Sequence, residues 1–98
     1  MEDPEGPTMG ESVIYIGQKP VMNYVLAAGK KLAEPGASIL VQARGKCISK
    51  AVDVALITLD RSKDSVKLGG ISISTEVLPG PDGAPQNISS IKIALNRP

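Results

Sequence analysis

The sequence predicts an α/β fold, a two-layer sandwich with the element order β-α-β-α-β-β. Three observations predict it. Apolar residues recur at helical spacing in two segments, around Val21–Leu32 and Ile48–Leu59. They cluster or alternate as strands do in four others, around Val13–Ile16, Ile39–Val41, Ile71–Val77 and Ile91–Leu95. Gly and Pro punctuate the joins. With 98 residues, 42% of them apolar and 21% charged, the chain has the length and composition of one globular domain.

Each element has a local reason. Residues 1–11 carry Gly, Pro and acids with no apolar period, which predicts a flexible acidic tail and leaves 12–98 as the folded unit. Ser12 to Gly17 holds Val13, Ile14, Tyr15 and Ile16, a β-branched and aromatic run expected to be a buried strand. Pro20 suits a helix start, where its missing N–H costs nothing. Val21, Val25, Ala28 and Leu32 then fall on one helical face, and Pro35-Gly36 stops that helix. Ala37 to Ala43 reads as a second strand, broken at Gly45. Ile48, Ala51, Val52, Ala55 and Leu59 mark one face of a second helix, while Val54, Leu56 and Ile57 make it apolar on further sides. Residues 60–65 are polar and predict a loop. Val66 to Leu78 alternates as a half-buried strand, with Gly69-Gly70 marking a bulge. Pro79 to Pro85 predicts a loop, and Ile91, Ile93 and Leu95 a last strand. The first two strands are expected to be parallel, joined by a right-handed crossover, and the last two to form an antiparallel hairpin.

Composition narrows the function. There is no Phe or Trp and only two Tyr, so the core must be built from small and medium aliphatic side chains. A domain this small with so little aromatic volume is marginal alone. The apolar excess on the second helix is therefore assigned to a seam with another subunit. No His is present, which removes Ser-His-Asp and Cys-His nucleophile systems and His-ligated metal sites. No paired carboxylates accompany the basic loops, so no enzyme activity, metal or cofactor is expected. Cys47 is the sole cysteine, which rules out an intramolecular disulfide. The acidic N-terminus has the wrong sign for a signal peptide, and a reducing, cytoplasmic compartment is expected. No uncharged run exceeds the ten residues from Pro20 to Gly29, too short for a membrane span.

The net charge of +1 hides an asymmetry. Residues 1–17 hold four acids and no base. Residues 18–52 hold six bases (Lys19, Lys30, Lys31, Arg44, Lys46 and Lys50) against Glu34 alone. Residues 53–98 hold five of each. If the first two strands are parallel, both strand-to-helix loops leave the same sheet edge, where open α/β sheets bind ligands. Lys19 then precedes one helix N-terminus, and Arg44 and Lys46 flank Gly45 before the other. Helix N-termini offer free N–H groups and a partial positive charge, which suits phosphate, and Gly17 and Gly45 permit close backbone approach. The alternative, solvated lysines at loop ends, stays open on spacing alone.

Two segments are more specific. Ile16-Gly17-Gln18-Lys19-Pro20-Val21-Met22-Asn23-Tyr24-Val25 resembles the Ile-Gly-Lys-Lys-Pro-Val-Met-Asn-Tyr-Val signature of the Alba family, small archaeal chromatin proteins that bind DNA and RNA. Ala43-Arg44-Gly45-Lys46-Cys47-Ile48-Ser49-Lys50-Ala51-Val52-Asp53 is similar to the family's Ala-Arg-Gly-Arg-Ala-Ile-Ser-Lys-Ala-Val-Asp, and Ile88–Ile93 is similar to its Val-Ser-Thr-Ile-Glu-Ile strand. The resemblance runs from about Val13 to Leu95. It implies a homodimer on double-stranded DNA, often RNA, with phosphate contacts from Lys19, Arg44 and Lys46. It implies a role for Lys50 one turn into the second helix, and a hairpin arm over residues 78–88 that reaches along a groove. Nucleic-acid contacts are thus expected from Gln18, Lys19, Asn23, Arg44, Gly45, Lys46, Lys50 and Asn87, with localisation on the chromosome.

The departures from the family pattern have consequences. Gln18 replaces a lysine, so one charge and its acetylation switch are absent. Lys46 replaces an arginine and cannot make a planar fork to phosphate. The arm offers Gln86 and Asn87 but no arginine. Ser62 stands where a Phe often packs between neighbouring dimers. These losses suggest a divergent second paralogue able to form heterodimers with a typical family member. An RNA-binding subunit of a ribonucleoprotein is the alternative function. Milder readings hold elsewhere: Cys47 as a small filler, Tyr24 as packing, Lys30 and Lys31 as a solvated face, and Lys50–Asp53 as an ion pair within the helix.

Overall fold

A computed structural model describes residues 11–98. The strands and helices, in order, are β1 (Glu11–Tyr15), α1 (Val21–Lys31), β2 (Ser38–Arg44), α2 (Ile48–Arg61), β3 (Lys67–Pro79) and β4 (Pro85–Asn96), with single 3-10 turns at Gly45–Cys47 and Lys63–Ser65. The predicted order is the observed one. The tail expectation lies outside the described residues except at Glu11, which pairs with Ser38 at the start of β1.

The four strands form one sheet in the order β1-β2-β4-β3. β1 and β2 are parallel, with Ile14 beside Val41. β4 runs antiparallel to both β2 and β3. Both helices pack on one face. Their side of the sheet carries Ile14, Ile39, Val41, Ala43, Ile91, Ile93 and Leu95, all buried, and the helices answer with Val25, Ala28, Leu32, Ala51, Val54 and Ala55. Small residues on α1 and α2 let the helices sit close to the sheet, so a core without Phe or Trp still closes. Arg97 fixes the rim: its backbone pairs with Gly36 and Ala37, and its guanidinium Nη1 donates to the carbonyls of Leu32 and Ala33 at the end of α1.

Two expectations need correction. β3 alternates as predicted, and the Gly69-Gly70 irregularity is a register shift between Leu68 and Ile71. However, β3 is not half-buried. Ile71, Ile73 and Val77 are 55%, 78% and 64% exposed. They point to the helix side, since Ile73 lies opposite Ile91 and Ile71 opposite Ile93, but β3 is the edge strand and neither helix reaches over it. The predicted loop at Pro79–Pro85 is also shorter than expected. Pro79 and Pro85 are a pair in the ladder, and Gly80–Ala84 makes the turn, closed by Gly80 N–H donating to Ala84 O at 2.7 Å. Beyond Arg44↔Ser90 the hairpin has left β2 behind and continues as a two-stranded arm.

Candidate nucleic-acid interface

Both strand-to-helix loops leave the same edge of the sheet, because β1 and β2 are parallel and adjacent. The Ile16 N–H donates to Gln42 O at 2.9 Å and carries the pairing to the point where the first loop begins. That loop, Gly17 to Pro20, is held from two sides. The Tyr24 hydroxyl, one turn into α1, accepts the N–H groups of Gly17 at 2.9 Å and Lys19 at 3.1 Å. From α2, the Lys50 ammonium donates to the carbonyls of Gly17 at 2.8 Å and Lys19 at 2.9 Å. The half-buried Cys47 places its Sγ 3.7 Å from the same Gly17 carbonyl.

The second loop turns sharply. Arg44 ends β2 in extended geometry (φ −128°, ψ 147°), and Gly45 enters the 3-10 turn at φ 54°. L-residues with a Cβ rarely occupy that region. A Cβ there would still have room, its nearest neighbour being Ile88 Cγ2 at 3.7 Å, so backbone conformation rather than space calls for glycine. The turn leaves Arg44 and Lys46 exposed on either side of it, with Gln18 lining the same groove. Neither helix has a side-chain cap or an acid in its own first turn, so neither first turn offsets its positive helix start.

Gln18, Lys19, Arg44, Gly45 and Lys46 are thus gathered on one exposed edge. Asn23 is exposed in the first turn of α1, beside them. Lys50 belongs to the cluster but its Nζ lies on two carbonyls rather than on Asp53, because its flank of α2 faces the first loop. Asn87 stands apart on the arm, opposite Val77, one residue from the Ile88 that approaches Gly45. Arg44 is shared: its Nε lies 3.7 Å from Glu76 on β3, both side chains well exposed. Ser62 ends α2 and turns its hydroxyl inward to Thr58 O at 2.6 Å. Sequence reasoning missed the Tyr24 and Lys50 anchors. Among the described residues no cluster of three His, Cys, Asp or Glu could hold a metal, and no helix is long and apolar enough to cross a membrane.

Comparisons with known proteins identify the family. The family model described as Alba matches residues 12–75. The DNA/RNA-binding protein Alba of Methanocella arvoryzae is 46% identical over 88 residues, covering 90% of this chain and 92% of the relative. Its counterpart in Thermoplasma acidophilum is 46% identical over 87 residues, covering 89% and 97%. Among solved structures, Alba from Thermoplasma volcanium superposes with a TM-score of 0.81 at 45% identity, over 88% of this chain and all of that one. A match through both strand-to-helix loops, the helices they start and most of the sheet is a match to the whole working unit, and the chain belongs to the Alba family.

Proposed function

We propose that this chain is a non-enzymatic, sequence-independent binder of double-stranded DNA that acts as a dimer and coats the chromosome in the cytoplasm. The observation that carries the reading is the locking of two basic loops side by side, with Lys19, Arg44 and Lys46 exposed and the first loop held by Tyr24 and Lys50. A preorganised edge of cations and helix starts suits phosphates, which carry no sequence information. The relatives' name, DNA/RNA-binding protein, supports the ligand class.

Uncovered apolar surface supports the dimer. One flank of α2 presents Val52 and Leu56, 37% and 57% exposed, and the helix side of β3 continues it with Ile71 and Ile73. Ile48 and Ile73 line a common groove, so the two apolar strips adjoin. A contiguous apolar surface of this kind marks a protein contact, and a second copy with the same strip would cover it about a two-fold axis. Two copies would present six cations, giving a slope of log K against log salt of roughly −5. Replacing Lys19 and Arg44 together by Ala should flatten that slope by about 3–4 units. A slope near zero, or binding confined to one sequence, overturns the reading. Competition between duplex DNA and structured RNA decides whether a ribonucleoprotein role replaces the chromosomal one. Native mass spectrometry of a mixture with a typical Alba decides whether the chain also forms heterodimers.

A further inference from the structure

The sheet has a second face, and among the described residues no helix or loop covers it. Since Ile14, Val41 and Ile93 point to the helices, their neighbours along each strand point away. In register, Tyr15 lies beside Gln42, Gln42 beside Lys92, and Lys92 beside Ser72, a row that crosses all four strands. Tyr15 is 68% exposed, an aromatic ring standing open in a chain that has only one other. A groove of about 1080 Å³ runs over this row and continues past Arg44 to Gln18 and Lys46. Among the described residues its lining includes the cations Lys31, Arg44, Lys46 and Lys92 and a single acid, Glu76. The groove is therefore continuous with the phosphate edge and has the charge of a nucleic-acid track. It lies on the face opposite the apolar strip assigned to the dimer.

A duplex cannot use such a face beyond its phosphates, because its bases are stacked on one another. An unpaired base can. An exposed ring on a flat sheet offers its face to any base, and a neighbouring amide and cations can meet the base edge and the flanking phosphates. We propose that the helix-free sheet face is a platform for single-stranded nucleic acid, with Tyr15 stacking on a base, Gln42 hydrogen-bonding its edge and Arg44 and Lys92 neutralising phosphates beside it. The platform rests on the reading of the basic loops as a phosphate edge and extends that edge to a ligand class that has no duplex. Across neighbouring strands the ring and the Lys92 position are two strand spacings apart, about 10 Å, which leaves room for a nucleotide between them.

The test uses the full-length protein with an oligo-dT and an oligo-U of about 20 nucleotides, and a duplex of about the same length, a size that spans several phosphate contacts. Tyr15→Ala should weaken single-strand binding about tenfold and change duplex binding less than about twofold, while Tyr15→Phe keeps both. Tyr15→Thr, which retains strand preference, should behave as Tyr15→Ala. With no Trp in the chain, single strands should quench tyrosine fluorescence in the unaltered protein and much less in Tyr15→Ala. If the duplex binds and single strands do not, or if Tyr15→Ala and Tyr15→Thr weaken both ligands equally or neither, the platform is refuted while the phosphate edge stands. If the unaltered protein binds none of the three, the phosphate edge itself falls.

Discussion

Lys50 separates two roles that a basic residue near a phosphate site can have, and its replacement by Met tests them. The substitution keeps an unbranched stem of similar length and removes the ammonium. It deletes two short hydrogen bonds, at 2.8 and 2.9 Å, to the carbonyls of Gly17 and Lys19. Bonds from a charged donor are worth about 1.5–3 kcal/mol each when buried. Here Lys50 is half-buried and Lys19 exposed, so water can replace part of each bond, and about 2 kcal/mol for the pair is the reasonable sum. For a domain of this size each kcal/mol moves Tm by about 4–8 °C, so a fall of roughly 10 °C is expected at fixed protein concentration. DNA affinity should fall as the loop loosens, yet the slope of log K against log salt should stay near that of the unaltered protein, because no phosphate contact is lost. A phosphate ligand would behave in the opposite way. Its loss from both subunits would flatten the slope by about 2 units and leave Tm nearly unchanged. Thermal melts and salt titrations on the same preparation therefore decide, and the second pattern would refute the clamp.

The remaining predictions address other contacts. Glu76→Gln releases Arg44 from an exposed pair at 3.7 Å, so Tm should barely move while duplex binding tightens a few-fold, read by fluorescence anisotropy; weaker binding would show that Glu76 aims the arginine rather than competing for it. Gly45→Ala should lower stability by about 1–2 kcal/mol through its φ of 54° alone, measured by denaturant titration, and an unchanged midpoint would mean that the loop relaxes to another conformation. Ile73→Lys, at a residue 78% exposed in the single chain, should yield a folded monomer in analytical ultracentrifugation with a salt slope about half that of the dimer; a persistent dimer would place the subunit contact elsewhere.

Much of the fold was legible because local pattern and global packing agree. Helical spacing of Val21, Val25, Ala28 and Leu32 and alternation at Ile91, Ile93 and Leu95 each bury the side they point to. The apolar alternation of β3 was equally legible, but its burial was not. Alternation shows that a face is apolar, and it says nothing about whether the covering surface belongs to the same chain. Pro79 and Pro85 read as loop because proline cannot sit in a central ladder, yet in a two-stranded arm each has an open side where a missing N–H costs little. For the site, charge counting located Lys19, Arg44 and Lys46 on one edge, since parallel strands force their loops together. It could not distinguish Lys50 from them. Its partners are main-chain carbonyls 31 and 33 residues away, and carbonyls carry no sequence signal. Tyr24 escaped for the same reason, its hydroxyl being spent on two backbone N–H groups.

These contacts change what the positive block of residues 18–52 can deliver. Of its six bases, Lys50 is spent holding the loop and Arg44 is shared with Glu76. Lys30 and Lys31 lie in the last turn of an 11-residue helix, about 16 Å along its axis from the end near Lys19. Only Lys19 and Lys46 stand exposed at the edge with no such commitment. A single chain is then a weak ligand for a polyanion, and Gln18 lowers it further by leaving one position neutral. Two consequences follow from that scarcity. Under the proposed dimer, association would be a requirement for affinity rather than an accessory, because doubling a small set of contacts multiplies their binding constants. Under the same reading Glu76 would temper the edge, since its carboxylate competes with phosphate for Arg44, one of the three cations proposed to meet the nucleic acid in each subunit.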